Sequence, residues 1–156
     1  MTSLCCDVLK LLRGKTLVTA ESCTGGGIGA ALTAVAGASS VYKGGIISYC
    51  NEVKHNALGV PLSLLDTHGA VSAPVAEAMA MGAKSMLSAD VSVSVTGLAG
   101  PDADAYGNPV GTVFIGYADD SHCINRHYLF SGNREEIRQQ AVAAALQLVL
   151  EEFHGK

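Results

Sequence analysis

Two segments of this 156-residue chain join a hydroxyl or thiol to a run of glycines. The first is Ala20-Glu21-Ser22-Cys23-Thr24-Gly25-Gly26-Gly27, which follows a short apolar run and precedes a helix of small residues. Glycines let the backbone approach a ligand, and a helix start offers free N–H groups with a partial positive charge. An anion such as a phosphate fits there. The second segment, Thr96, Gly97, Leu98, Ala99, Gly100, Pro101 and Asp102, also leaves a predicted strand. Ligands of α/β sheets sit in crevices beyond the carboxyl ends of strands, so the two loops predict one shared crevice. Each loop alone also has a purely structural explanation, because tight strand-to-helix turns use glycine without any ligand. No Gly-x-x-x-x-Gly-Lys-Ser/Thr run occurs, which disfavours a P-loop nucleotide hydrolase.

A third segment, Ser48 to His55, again passes from a strand end into a helix. Asn51, Lys54 and His55 are spaced i, i+3 and i+4, on one helical face. By spacing alone Lys54 reads as a solvated surface lysine. Cys23 is a candidate nucleophile because thiolates are stabilised before a helix start. Equally, cysteine is among the most often buried residue types.

These segments need a frame to position them. Ser3 to Leu12 reads as a short helix and Thr16 to Ala20 as a strand; Ile28 to Ala36 reads as a helix. Val41 to Tyr49 is a second strand. Asn51 is a good N-cap for a helix through Leu58, ended by Gly59. Pro61 to Thr67 suits a helical turn, and Ser72 caps a longer helix to about Leu87 with Pro74 in its first turn. Asp90 to Thr96 alternates apolar and small polar residues with period two, a strand signal. Gly111 to Ala118 and His122 to Phe130 predict a hairpin. Asn133 and Glu136 form a capping-box-like start for a long last helix. The order predicts a three-layer α/β/α fold with a mixed sheet and a C-terminal hairpin, in one domain over 1–156.

Composition excludes several classes. Hydrophobic residues make up 49% and charged residues 15%, the reverse of a disordered chain. The net charge of −4 and scattered basic residues leave no basic face for general nucleic-acid binding. No apolar run approaches the ~18 residues of a membrane span, and the start lacks the pattern of a signal peptide. Five cysteines, an odd number without a CxxC, predict free thiols in a reducing cytosol and no metal site.

Six segments in order carry a family resemblance: Thr19 to Gly26, Tyr49 to Lys54, His68 to Ser72, Thr96 to Asp102, Pro109 to Thr112, and Phe130 to Arg134 with Ile137 and Arg138. Together the chain resembles the CinA C-terminal domain family over nearly its whole length. The length leaves no room for the amino-terminal molybdopterin-like domain of some members, so it resembles the stand-alone nicotinamide mononucleotide deamidases of that family. The resemblance implies hydrolysis of the nucleotide carboxamide by a Ser/Lys mechanism without a cofactor or metal, and points to a cytoplasmic homodimer. The implied nucleophile is Ser22 and the base Lys54, whose amine must be neutral to take a proton. Burial, helped by a nearby cation, would make it so. Thr24 is implied beside the nucleophile, as a holder of Lys54 or a hydrogen-bond donor. Tyr49 is implied as a further catalytic residue, Tyr49 and Asn51 lead to the lysine, and Ser48 and Asn51 are implied to bind substrate. The N–H groups of Cys23, Thr24, Gly25 and Gly26, or of Thr96 and Gly97, are the implied oxyanion donors. Gly100 belongs to the matching substrate loop, and Arg134 and Arg138 are implied phosphate ligands.

One stretch departs from the family pattern. Ala103 and Asp104 stand where glycines are usual, and Asn108 stands where a basic residue precedes Pro109. That departure motivates two alternatives: a non-catalytic, regulatory nucleotide-binding protein, or a hydrolase of another small nucleotide amide.

Overall fold

The computed structural model describes residues 1–154; Gly155 and Lys156, the end of the expected 1–156 domain, lie outside the described residues. Five strands form one sheet in the order β2-β1-β3-β4-β5. They are β1 (Leu17–Glu21), β2 (Tyr42–Ile47), β3 (Val91–Gly97), β4 (Thr112–Ala118) and β5 (Cys123–Leu129). β1 runs parallel to both β2 and β3, whereas β3–β4 and β4–β5 are antiparallel. The mixed sheet and its C-terminal hairpin are those the sequence predicts. β1 is buried at every position, as expected for a central strand covered on both faces.

Helices cover both faces. On one side α1 (Thr2–Leu11) and α2 (Gly27–Thr33) pack against α6 (Arg134–Glu152). Leu32, Val93, Ile115, Ile137, Leu146 and their neighbours form the core there. On the other side lie α3 (Asn51–Leu58), α4 (Leu62–His68) and α5 (Ala73–Met86), with Val18, Leu58, Leu65, Val75 and Met79 in a second core. This is the expected three-layer arrangement.

Local chemistry explains most boundaries. Asn133 accepts from the Glu136 N–H and Glu136 accepts from the Asn133 N–H, a complete capping box for α6. Of two predicted caps, Ser72 is the N-cap of α5 without a side-chain capping bond, and Asn51 is not the N-cap of α3. Cys50, not Asn51, is the N-cap of α3, and Asn51 is its first helical residue without a capping bond. Ser72 precedes α5, but its hydroxyl donates back to Gly69 instead. A short 3-10 turn, Ala38–Ser40, follows α2, which ends at Thr33 rather than Ala36. The Thr33 hydroxyl bonds back to the Gly29 carbonyl there.

Two contacts matter for the site. α3 and α5 approach closely at Gly82, where any Cβ would lie 2.0 Å from the Leu58 carbonyl oxygen. The excursion between β3 and β4 is pinched at its base: Leu98 N–H donates to Thr112 and Gly111 N–H donates to Leu98.

Candidate active site

Ser22 follows β1 directly, in a turn closed by backbone bonds. Its N–H donates to the Val95 carbonyl, Gly25 N–H to Ser22, and Gly27 N–H to Thr24. Gly25 and Gly26 take φ values of 56° and 99°, so the chain reverses tightly at residues without a Cβ. Lys54 enters from the second turn of α3 and is 1% exposed. Its Nζ lies 3.0 Å from Ser22 Oγ and 2.8 Å from the Ser48 carbonyl oxygen. A carbonyl can only accept, so Lys54 donates to Ser48; a neutral amine then has its lone pair for the Ser22 hydroxyl proton. Burial lowers the Lys54 amine below the ordinary lysine range and outweighs the opposing effect of the Cys50 and Cys23 thiols. Desolvation does this without the neighbouring cation that the sequence reading invokes.

Beyond Ser22 opens a crevice of about 420 Å³, a size suited to a small ligand. Its wall includes Ser22, Cys23, Tyr49, Thr96, Gly97 and Gly100, with Asp102 and Arg134 at the charged rim. The two glycine-rich loops therefore meet, as the sequence predicts. Leu98 N–H faces β4; by the alternation of an antiparallel ladder, Gly97 N–H faces the β1 side, where Ser22 stands. The Cys23 N–H takes no part in the bonds that close the turn. Both residues line the crevice beside Ser22.

Several expected site residues do other work. The start of α2 is no phosphate site, because the Glu21 carboxylate already fills it, accepting from Ile28 N–H at 2.9 Å and Gly29 N–H at 3.0 Å. Thr24 does not hold Lys54; its hydroxyl donates to Glu21 at 2.7 Å. Gly25 and Gly26 lie off the crevice wall, and the Gly25 N–H is spent on Ser22. Ser48 serves Lys54 through its carbonyl and is itself buried. Asn51 is exposed and away from the wall. His55 bonds to Val60, so the Asn51–Lys54–His55 face is not a functional unit.

The aromatic and cationic residues divide likewise. Tyr49 lies on the wall but is 61% exposed, and its hydroxyl accepts from Arg134 rather than meeting Ser22 or Lys54. Thr96 turns its hydroxyl to the Ala70 carbonyl. Arg134 also donates to the Gly100 carbonyl, so it straps two loops across the mouth. Arg138 is not on the wall: it donates to the carbonyls of Cys23 at 2.9 Å and Thr24 at 3.2 Å, behind the turn. Cys23 is 5% exposed and burial pushes its thiol up to about 11, the wrong direction for a nucleophile.

The family model described as the CinA C-terminal domain matches residues 2–153. The chain belongs to the CinA C-terminal domain family. A solved CinA superfamily structure from Escherichia coli superposes with a TM-score of 0.95 at 32% identity, covering 97% of this CinA-family chain and 90% of that one. A nicotinamide-nucleotide amidohydrolase, PncC, of Escherichia coli K12 is 44% identical over 142 residues, covering 90% of this chain and 86% of its own length. A CinA-like protein of Geobacter sulfurreducens is 47% identical over 134 residues, covering 86% of this chain. The chain spans about a third of the length of such CinA-like relatives.

The departure between Asp102 and Pro109 also finds its place in this CinA-family fold. Asp104 accepts from the Tyr106 and Asn108 N–H groups and from the Asn108 amide, which also donates to Val71. The loop is folded on itself, and residues 103–108 do not line the crevice. Sequence reasoning missed Glu21 as a hub; its signal was an acidic residue six positions before a glycine-rich helix start at Gly27.

Proposed function

We propose that residues 1–156 form one amidohydrolase domain that converts nicotinamide mononucleotide to nicotinic acid mononucleotide and ammonia. The observation that carries this is the 3.0 Å contact between a buried lysine amine and Ser22 Oγ at the floor of the crevice. The similarity to a named nicotinamide-nucleotide amidohydrolase supplies the substrate.

Ser22 Oγ attacks the carboxamide carbon while its proton passes to Lys54 Nζ. The oxyanion is met by the Cys23 and Gly97 N–H groups. As the C–N bond breaks, Lys54 returns the proton to the leaving nitrogen, and ammonia departs. The acyl group remains as an ester on Ser22. Water then attacks that ester with Lys54 again as base, releasing the carboxylate and restoring Ser22. Arg134, the only cation on the wall among the described residues, holds the phosphate by exchanging its loop contacts for phosphate oxygens. The five free thiols fit a reducing cytosol, and exposed Ile47, Met81, Met86 and Leu129 fit a homodimer, which light scattering checks.

The deciding experiment is product analysis after incubation with nicotinamide mononucleotide. Wild type should release ammonia and the acid nucleotide, and Ser22→Ala and Lys54→Ala should each lose on the order of 10³-fold or more in kcat. Binding of the nucleotide without turnover by wild type would instead favour a regulatory binding protein.

A further inference from the structure

Glu21 is buried beside the reacting pair, yet no step above uses it. Four donors converge on its carboxylate. Oε1 accepts from the Thr24 hydroxyl at 2.7 Å and Ile28 N–H at 2.9 Å. Oε2 accepts from Gly29 N–H at 3.0 Å and the Thr19 hydroxyl at 3.4 Å. Thr19 spends its proton on Glu21, so the Tyr42 hydroxyl at 2.8 Å must donate to Thr19. The main chain of the same residue faces the other partner: the Glu21 carbonyl accepts from Ser48 N–H at 2.7 Å, and the Ser48 carbonyl anchors Lys54.

We infer that Glu21 is a positioning residue that sets the Ser22–Lys54 distance from both sides. Its carboxylate holds Thr24 and the start of α2, and so the turn that carries Ser22. Its carbonyl holds Ser48, and so the anchor of Lys54. The ring Glu21–Ser48–Lys54–Ser22 is closed by the covalent bond between residues 21 and 22. The role demands an acceptor-only group. In Glu21→Gln the amide nitrogen would face either Gly29 N–H or Ile28 N–H, donor against donor, and part of the clamp must open. This inference rests on Ser22 and Lys54 being the reacting pair.

The test therefore uses two readouts: steady-state turnover of nicotinamide mononucleotide, and the rate at which a small fluorophosphonate labels Ser22. The second needs no knowledge of the substrate. Misplacing a nucleophile by about 1 Å costs on the order of 10²-fold, so Glu21→Gln should lower kcat and the labelling rate by that order, with KM within about threefold. Thr24→Val, which removes one donor, should give a smaller loss in both, and Thr24→Ser should restore them. If Glu21→Gln does not fold, the Thr24 pair carries the test. If wild type labels at Ser22 but does not turn over the nucleotide, the substrate reading fails, and slower labelling of Glu21→Gln still supports the inference. Labelling of folded Glu21→Gln or Thr24→Val at the wild-type rate overturns it. So does a loss that only follows the fraction of folded protein and is not restored in Thr24→Ser.

Discussion

Lys54 Nζ sits between an obligate acceptor, the Ser48 carbonyl at 2.8 Å, and the Ser22 hydroxyl at 3.0 Å. The carbonyl fixes one direction in which the amine donates, and in the proposed reaction its lone pair then takes the Ser22 proton. A surface lysine on α3 could not do this; the side chain is drawn inward and loses its water.

That burial gives a pH dependence with a definite sign. Only neutral Lys54 is a base, so kcat/KM should rise with pH through a Lys54 pKa below the unperturbed ~10.4. Between the lowered folded value and the unfolded one, the unfolded chain binds more protons, so stability also rises with pH across that window. Lys54→Met should abolish the rise in stability, measured as urea midpoint against pH.

Arg138 offers a test of its corrected role. Arg138→Ala removes the two donors that fix the Cys23 and Thr24 carbonyls. The expected result is a fall of about tenfold in kcat with little change in KM, since no substrate contact is lost. Arg138→Lys should recover little, because one ammonium cannot reproduce the planar fork.

Arg134 should behave in the opposite way. Hydrogen bonds to charged groups contribute about 1.5–3 kcal/mol, so Arg134→Ala should raise KM by about ten- to a hundredfold. Nicotinamide riboside, which lacks the phosphate, should be hydrolysed alike by both proteins. Steady-state kinetics on the two substrates measure the difference.

The thiols separate by exposure. Iodoacetamide at neutral pH should modify exposed Cys50 and spare Cys23, whose thiol is raised to about 11. Cys23→Ala should keep kcat within about threefold, because the proposed reaction uses only the backbone N–H of that residue and its raised thiol is no nucleophile. Mass spectrometry of the alkylated peptides and a kinetic assay check both.

Gly82→Ala tests how α5 supports Lys54. The added Cβ would collide with the Leu58 carbonyl and push α3 outward. A loss of about 1–3 kcal/mol is expected in the urea midpoint, with a lower kcat.

Local patterns were the legible part of the sequence. Asn133 and Glu136 announce α6 through a bond between neighbours, and the alternation of Val91, Ser92, Val93 and Ser94 announces β3. The crevice was legible because strand ends with glycine-rich loops converge in such sheets. What escaped depends on long-range partners. Nothing near Arg138 in sequence shows that it reaches carbonyls 115 and 114 residues away. The start of α2 resembles an anion site in sequence because it is one, and the anion is the chain's own Glu21. Asn51 lost its expected cap because the helix begins one residue earlier, where a cysteine has no side-chain acceptor in place.

The neck of backbone bonds joining Leu98 to Gly111 and Thr112 ties the base of the excursion to β4, next to Gly97. Exchanges at 103–108, which lie beyond that neck and off the crevice wall, should leave the Gly97 amide in place. Selection can therefore remodel the outer excursion on its own schedule, while the inner apparatus stays under separate constraint.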